Sequence, residues 1–277
     1  MERKNGNAGS TVVAFTFALL LVVFTVITVY FFVAKTWWFP DPISAFGYQI
    51  DSQFHRTLII TGVVFVLAQL GLALVIFRSR DRGQKVSFFE GNSTMELVWT
   101  LATVVMFVGL GFYGQRVWAE AHFQGAAPGA LQVEVTGQQF AWNIRYAGPD
   151  GIWGATRPEL ISASSGNPVG LDPRDPNGRD DIVTPVMYVP VDREVELLIR
   201  TQDVTHSFFV RELRLKQDSV PGLMVRMHFN ATVPGQYEIV CAELCGLGHS
   251  RMRSFLNVVS QQEYDQWMQN ELAALQQ

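Results

Sequence analysis

The two cysteines of this 277-residue chain stand four positions apart in VCAELCGLGHSRM, residues 240–252. His249 follows Cys245 by four positions and Met252 comes three after that. In an oxidising compartment two thiols form a disulfide, and cysteines this close can bridge, although so short a loop is strained. A disulfide has no use for an adjacent imidazole and thioether. Copper does, since Cys thiolate, His nitrogen and a weak Met sulfur are the ligand set of blue-copper electron-transfer sites. One such copper needs a single cysteine. A second thiolate lets two sulfurs span a pair of coppers that share one unpaired electron, so each bond changes less on reduction. Zinc fits less well, because Met is a poor zinc ligand and a closed zinc site draws four Cys or His. A bridged pair needs a second nitrogen ligand. Of the five histidines, 55, 122, 206, 228 and 249, His206 lies in the strand-like DVTHSFFV, 35 residues before Cys241, where a neighbouring strand end would deliver it.

What must position these residues divides into two unlike parts. Residues 11–34, 57–77 and 97–115 carry no charged side chain. Each run approaches the ~20 apolar residues that a helix needs to cross about 30 Å of hydrocarbon. They predict membrane helices over about 11–34, 57–77 and 96–115 in an anchor of residues 1–118. Arg78, Arg80, Arg82 and Lys85 cluster between the second and third runs, with Arg3 and Lys4 at the start. The positive-inside rule therefore puts the N-terminus and that loop in the cytoplasm, and the rest of the chain on the periplasmic side. A cleaved signal peptide competes for the first run. The run exceeds a usual h-region, however, and the KTWWFP after it offers no small-residue cleavage site. Trp37 and Trp38 read instead as interfacial anchors.

Beyond residue 118 the pattern is strand-like. LQVEVTG, MYVPVDREVELLIRT, THSFFV, GQYEIVC and RSFLNVV alternate in short runs between Pro and Gly turns, which predicts an antiparallel β-sandwich or barrel over 119–259. Residues 147–181, rich in Gly, Pro and Asp, read as one surface insertion. Ser260 and Glu263 form a capping-box pattern that opens a C-terminal helix over 260–277. Residues 116–277 carry 13 Lys/Arg against 19 Asp/Glu. This balance argues against nucleic acid as a partner, because phosphate binding needs a basic face.

The sequence resembles subunit 2 of the haem–copper cytochrome c oxidases. VCAELCGLGHSRM matches that family's C-x-E-x-C-x3-H-x2-M, and DVTHSFFV its upstream histidine segment. EGNSTMELVWT and VTGQQFAWNIRY match the start of its last helix and its aromatic stretch, so the matches run from about 88 to 258. The resemblance implies a cupredoxin-like outer domain holding a binuclear copper centre, Cu-A. In it Cys241 and Cys245 bridge the coppers, His206 and His249 each ligate one, Met252 is a weak sulfur ligand and Glu243 serves through its backbone carbonyl. The Glu243 carboxylate would reach toward a magnesium ion at the boundary with the catalytic subunit 1. The resemblance places Glu96 at the mouth of a proton path, although Ser93 and Glu96 also read as a capping box. Phe140, where the family often has Trp, and Trp142 would admit electrons from cytochrome c or a similar donor.

The implied function is the electron-transfer subunit of a proton-pumping oxidase in a prokaryotic inner membrane. It would pass electrons to haem in the catalytic subunit, where oxygen becomes water, in company with other oxidase subunits. No His lies within the three apolar runs, so the chain has no haem-ligand set there, and no C-x-x-C-H marks a fused cytochrome c. A copper-delivery protein with C-x3-C usually has Pro after the second Cys, whereas Gly246 stands here.

Overall fold

The computed structural model describes residues 3–36, 38–82, 88 and 90–276. Trp37 and Lys85 lie outside the described residues. Three long helices come first: α1 (Arg3–Val33), α2 (Ala45–Arg78) and α3 (Ser93–His122). At 1.5 Å per residue each reaches about 45–50 Å, longer than the hydrocarbon core of a bilayer. All three are long and apolar enough to cross a membrane, and their apolar windows are only 11%, 6% and 0% buried within the chain. A helix apolar on every side and packed on so little needs lipid or another chain around it. α3 starts at Asn92, whose Oδ1 accepts the Met95 N–H at 3.1 Å. The cap therefore sits one residue before Ser93, and the reciprocal box read at Ser93 and Glu96 does not form. Glu96 falls one position too late for it.

The second compact unit comprises Pro40–Asp51 and Arg116–Gln277. Ten strands build two five-stranded sheets among its described residues. One sheet runs β3 (Ile182–Thr184), β2 (Ala141–Tyr146), β1 (Leu131–Gln138), β5 (Glu194–Thr201), β8 (Val225–Asn230). The other runs β4 (Met187–Pro190), β10 (Arg253–Val259), β9 (Gly235–Cys241), β6 (His206–Val210), β7 (Leu215–Ser219). The fold is the cupredoxin-like sandwich that follows from the resemblance. Most pairings are antiparallel, while β1 with β5 and β4 with β10 are parallel. Inward-facing Val133, Val135, Ile144, Leu197, Phe208 and Ile239 meet between the sheets in a fully buried core, the largest favourable term in holding the unit together.

Pro40–Asp51 belongs to this unit because its polar groups are satisfied there. The Ile43 carbonyl accepts from Thr232 N–H at 2.7 Å and Oγ1 at 3.0 Å. Ser44 Oγ donates to the Leu213 carbonyl at 3.0 Å, and Arg214 grips both oxygens of Asp51.

Residues 147–181 cover the outward face of the first sheet. Glu134 and Arg145 point away from the core yet are buried. The Arg145 guanidinium pairs with Asp181, donates to the Gly154 carbonyl and lies 5.0 Å from the Trp153 ring. Arg145 and Arg200 also approach Glu134 at 3.7 and 3.6 Å. α4 (Gln261–Leu275) opens on a reciprocal capping box at Ser260 and Glu263 and packs Trp267 flat on Tyr188 at 4.7 Å.

Candidate metal centre

The site sits at one end of the second sheet, and strand pairing explains its assembly. Cys241 ends β9 opposite Phe208 of β6, beside His206, the first residue of β6. β9 and β10 form an antiparallel pair, so 242–252 is the loop that returns between them. The Cys241 N–H donates to the Met252 carbonyl at 3.1 Å and closes the base of that loop. Residues distant in sequence thus meet because two strand ends and one return loop share a sheet end.

The donor atoms converge. Cys241 Sγ lies 3.8 Å from Cys245 Sγ and 3.9 Å from His206 Nδ1, and the Glu243 carbonyl oxygen is 3.1 Å from the same sulfur. Cys245 Sγ lies 3.6 Å from His249 Nδ1 and 3.8 Å from Met252 Sδ. A metal with thiolate bonds of about 2.3 Å and imidazole bonds of about 2.0 Å separates neighbouring tetrahedral ligands by roughly 3.5–3.8 Å. The observed spacings suit donors that share a metal. His206, Cys241 and Cys245 hold their donor atoms within 4.8 Å of one another and are buried. Both cysteines are free thiols. Burial, the hydrogen bond with Cys241 and the neighbouring Cys241 charge push the Cys245 thiol up to about 11. A metal taken up by this set would displace the thiol proton.

The aromatic stretch sits against this loop in an unequal way. Phe140 is 38% exposed, whereas Trp142 is 1% exposed, so the two do not make a surface pair. Ala141 opens β2, and from there the strand turns Trp142 inward. Its ring lies 6.0 Å from the His206 ring, and its Nε1 has no hydrogen-bond partner among the described residues. Gly137 is small because both rings press on it: a Cβ there would come within 3.0 Å of His206 and 3.1 Å of Trp142. Phe140 lies on the backbone of the β9–β10 return loop. A Cβ on Gly248 would overlap its ring, and one on Gly246 would come within 3.2 Å of it.

Glu243 points its side chain to the surface. Glu96, at the start of α3, is exposed and its carboxylate makes no hydrogen bond among the described residues. Of the other histidines, His55 faces Trp38, His122 stacks on Trp118 and His228 pairs with Glu194; none is among the convergent donors.

Two residues beside the convergent donors make contacts that sequence reasoning missed. Asp203 accepts from His206 Nε2 at 2.8 Å, and Gln139 Nε2 donates to the Cys245 carbonyl at 2.6 Å. Burial pushes the Asp203 carboxyl up, but hydrogen bonds from His206, Gln139 N–H and Val204 N–H outweigh it and hold it below the usual carboxylate value. The spacing Asp203-x-x-His206 was the available signal for the first; nothing local marks the second.

Residues 174–259 match the family described as cytochrome c oxidase subunit II, periplasmic domain, and residues 33–117 match its transmembrane domain. The chain is similar to the alternative cytochrome c oxidase subunit 2 of Bradyrhizobium diazoefficiens, 32% identical over 257 residues, 92% of this chain and 91% of that one. It is also similar to cytochrome c oxidase subunit 2 of Synechocystis sp., 31% identical over 251 residues, 83% of this chain and 74% of that one. Among solved structures, the periplasmic domain of subunit II of cytochrome oxidase of Bradyrhizobium japonicum is 26% identical with a TM-score of 0.39, covering 53% of this chain and 98% of that one.

Proposed function

We propose, from the premise that this chain belongs to the cytochrome c oxidase subunit 2 family, that its outer domain is a binuclear copper relay of the Cu-A type. The observation that carries the reading is the convergence of two thiols, two imidazole Nδ1 atoms, a thioether and one backbone carbonyl at one sheet end. When bound, the copper pair supplies a one-electron relay whose charge change is spread over two ions.

The chain's own residues do the rest. Cys241, Cys245, His206 and His249 would hold the pair, Met252 would tune it from within the core, and the Glu243 carbonyl would complete the set. Phe140 shields the loop from water and offers an apolar face through which electrons come in from cytochrome c or a similar donor. Trp142 supports the His206 ring from below. The Glu243 carboxylate, exposed at the same loop, would hold magnesium against a catalytic subunit. Glu96, freed from a capping role, guards the mouth of a proton path. In this reading the helices anchor the chain in a prokaryotic inner membrane with the copper domain on the periplasmic side, and the partner subunit reduces oxygen to water while protons are pumped.

Counting copper tests the reading. The full-length chain in detergent, loaded with copper and freed of excess, is expected to hold two coppers and turn purple. One copper per chain, or a blue colour, contradicts it.

A further inference from the structure

A histidine that ligates through one ring nitrogen is oriented by what the other nitrogen touches. His206 is fully buried, its Nδ1 faces Cys241 Sγ at 3.9 Å, and its Nε2 meets Asp203 Oδ1 at 2.8 Å. That contact fixes the proton on Nε2 and leaves the Nδ1 lone pair aimed at the thiols. Asp203 is itself held. Its Oδ1 also accepts the Val204 N–H at 2.7 Å, and its Oδ2 accepts the Gln139 N–H at 2.7 Å. Gln139 in turn donates its side-chain amide to the Cys245 carbonyl at 2.6 Å and precedes Phe140, whose ring lies on the same loop. One carboxylate therefore joins the start of β6 to the β1–β2 turn, and through Gln139 to the ligand loop.

We infer that Asp203 is a positioning residue of the metal centre: it orients His206, lends the imidazole negative charge and, through Gln139, locks the Phe140 turn onto the ligand loop. The inference rests on the copper reading above for its effect on potential, and on the geometry alone for its effect on the ring. An anion behind a ligand favours the more positive, oxidised centre. Removing it raises the reduction potential. A plain loop turn, with Asp203 serving only the Val204 N–H, predicts something else, because asparagine makes such turns as well as aspartate. The substitution Asp203→Asn would, however, remove the charge and set the new amide NH2 against either His206 Nε2–H or the Gln139 N–H.

The test compares full-length wild type with Asp203→Asn and Asp203→Ala in detergent. In the copper-free chains, ring-15N histidine spectra are expected to show His206 as a single Nε2–H tautomer in wild type and as a tautomer mixture in Asp203→Ala. In the chains loaded with Cu(II), Asp203→Ala is expected to bind copper about 10- to 100-fold more weakly. Asp203→Asn is expected to raise the potential by about 59 mV for each tenfold loss of preference for the oxidised centre. An unchanged tautomer and an unchanged potential, with only a lower melting temperature, would overturn the inference and leave Asp203 a loop-turn residue. If wild type holds fewer than two coppers the relay reading fails, and the copper-free ring spectra still decide the role of Asp203.

Discussion

The β-sandwich unit holds two largely buried clusters of polar side chains, and they are opposites. In the first, Arg145 and Arg200 stand against Glu134 and Asp181, two positive and two negative groups, with Asp181 also accepting the Gly154 N–H at 3.0 Å. Among the described residues Glu134 Oε1 and Asp181 Oδ1 have no hydrogen-bond partner, yet the charges balance within the cluster. In the second, Cys241, Cys245, His206, His249 and Met252 bring sulfur and nitrogen donor atoms to within 3.6–3.9 Å of one another. A self-neutralised cluster holds a layer in place. A cluster of convergent lone pairs asks for a metal. The difference separates structure from function without appeal to any relative.

The comparison breaks most visibly at Arg145. Arg145→Leu leaves Asp181 buried without its partner and Glu134 with Arg200 alone, and breaking a buried pair costs about 3–5 kcal/mol. Urea unfolding is expected to show that loss, while the fraction that stays folded binds copper as before. Loss of copper from well-folded variant chains would mean that the two clusters are not independent. Cys241→Ser does the reverse. The fold is expected to survive, with copper content falling from two to at most one. Copper at about 1,000 times its dissociation constant should stabilise wild type by about 4 kcal/mol and the variant by far less. Equal thermal shifts in both would show that Cys241 is not part of the centre.

A smaller effect follows from the Cys245 thiol, held at about 11 in the metal-free protein by burial and by Cys241. Copper takes the thiolate, so each thiol it binds releases a proton. Apparent affinity should therefore rise with pH throughout the range below about 11, by about tenfold per unit for each proton released. A competition titration with a chelator between pH 6 and 8 measures the slope; a flat profile would exclude thiolate ligation. The smallest change is at Phe140. Phe140→Ala should leave the copper spectrum intact and slow reduction by the donor. The rate in wild type should fall only shallowly with salt if the apolar Phe140 ring dominates docking over the nearby Asp203 and Glu243 carboxylates, because screening acts on charges over about 10 Å at 0.1 M. A steep salt dependence with a fully active variant would place the docking of the donor elsewhere.

Much of this was legible in the chain. The ligand spacing, the three apolar runs and the alternating strands are local signals, and local signals survive in sequence. What was not legible depends on which strands become neighbours. Gln139 and Cys245 are 106 positions apart, and only the folded sheet end brings them into contact. Pro40–Asp51 reads as the approach to a membrane helix, but Ile43, 4% exposed, completes the sandwich core. Glu134 and Arg145 alternate as outward strand residues should, and nothing in LQVEVTG or AWNIRY announces that 147–181 will cover them. At Glu96 the sequence reads Ser93 as the cap, but the helix is capped one residue earlier, where the Asn92 side chain accepts the Met95 N–H. Phe140 and Trp142 fit an alternating surface pair on paper; the turn before β2 separates them into a surface ring and a core ring.

The central claim is that these donors hold two coppers that share one electron. Low-temperature electron paramagnetic resonance of the copper-loaded, oxidised full-length chain tests it most directly. A seven-line hyperfine pattern, from one unpaired electron spread over two copper nuclei, is the result this account predicts. A four-line pattern from a single copper nucleus would contradict it.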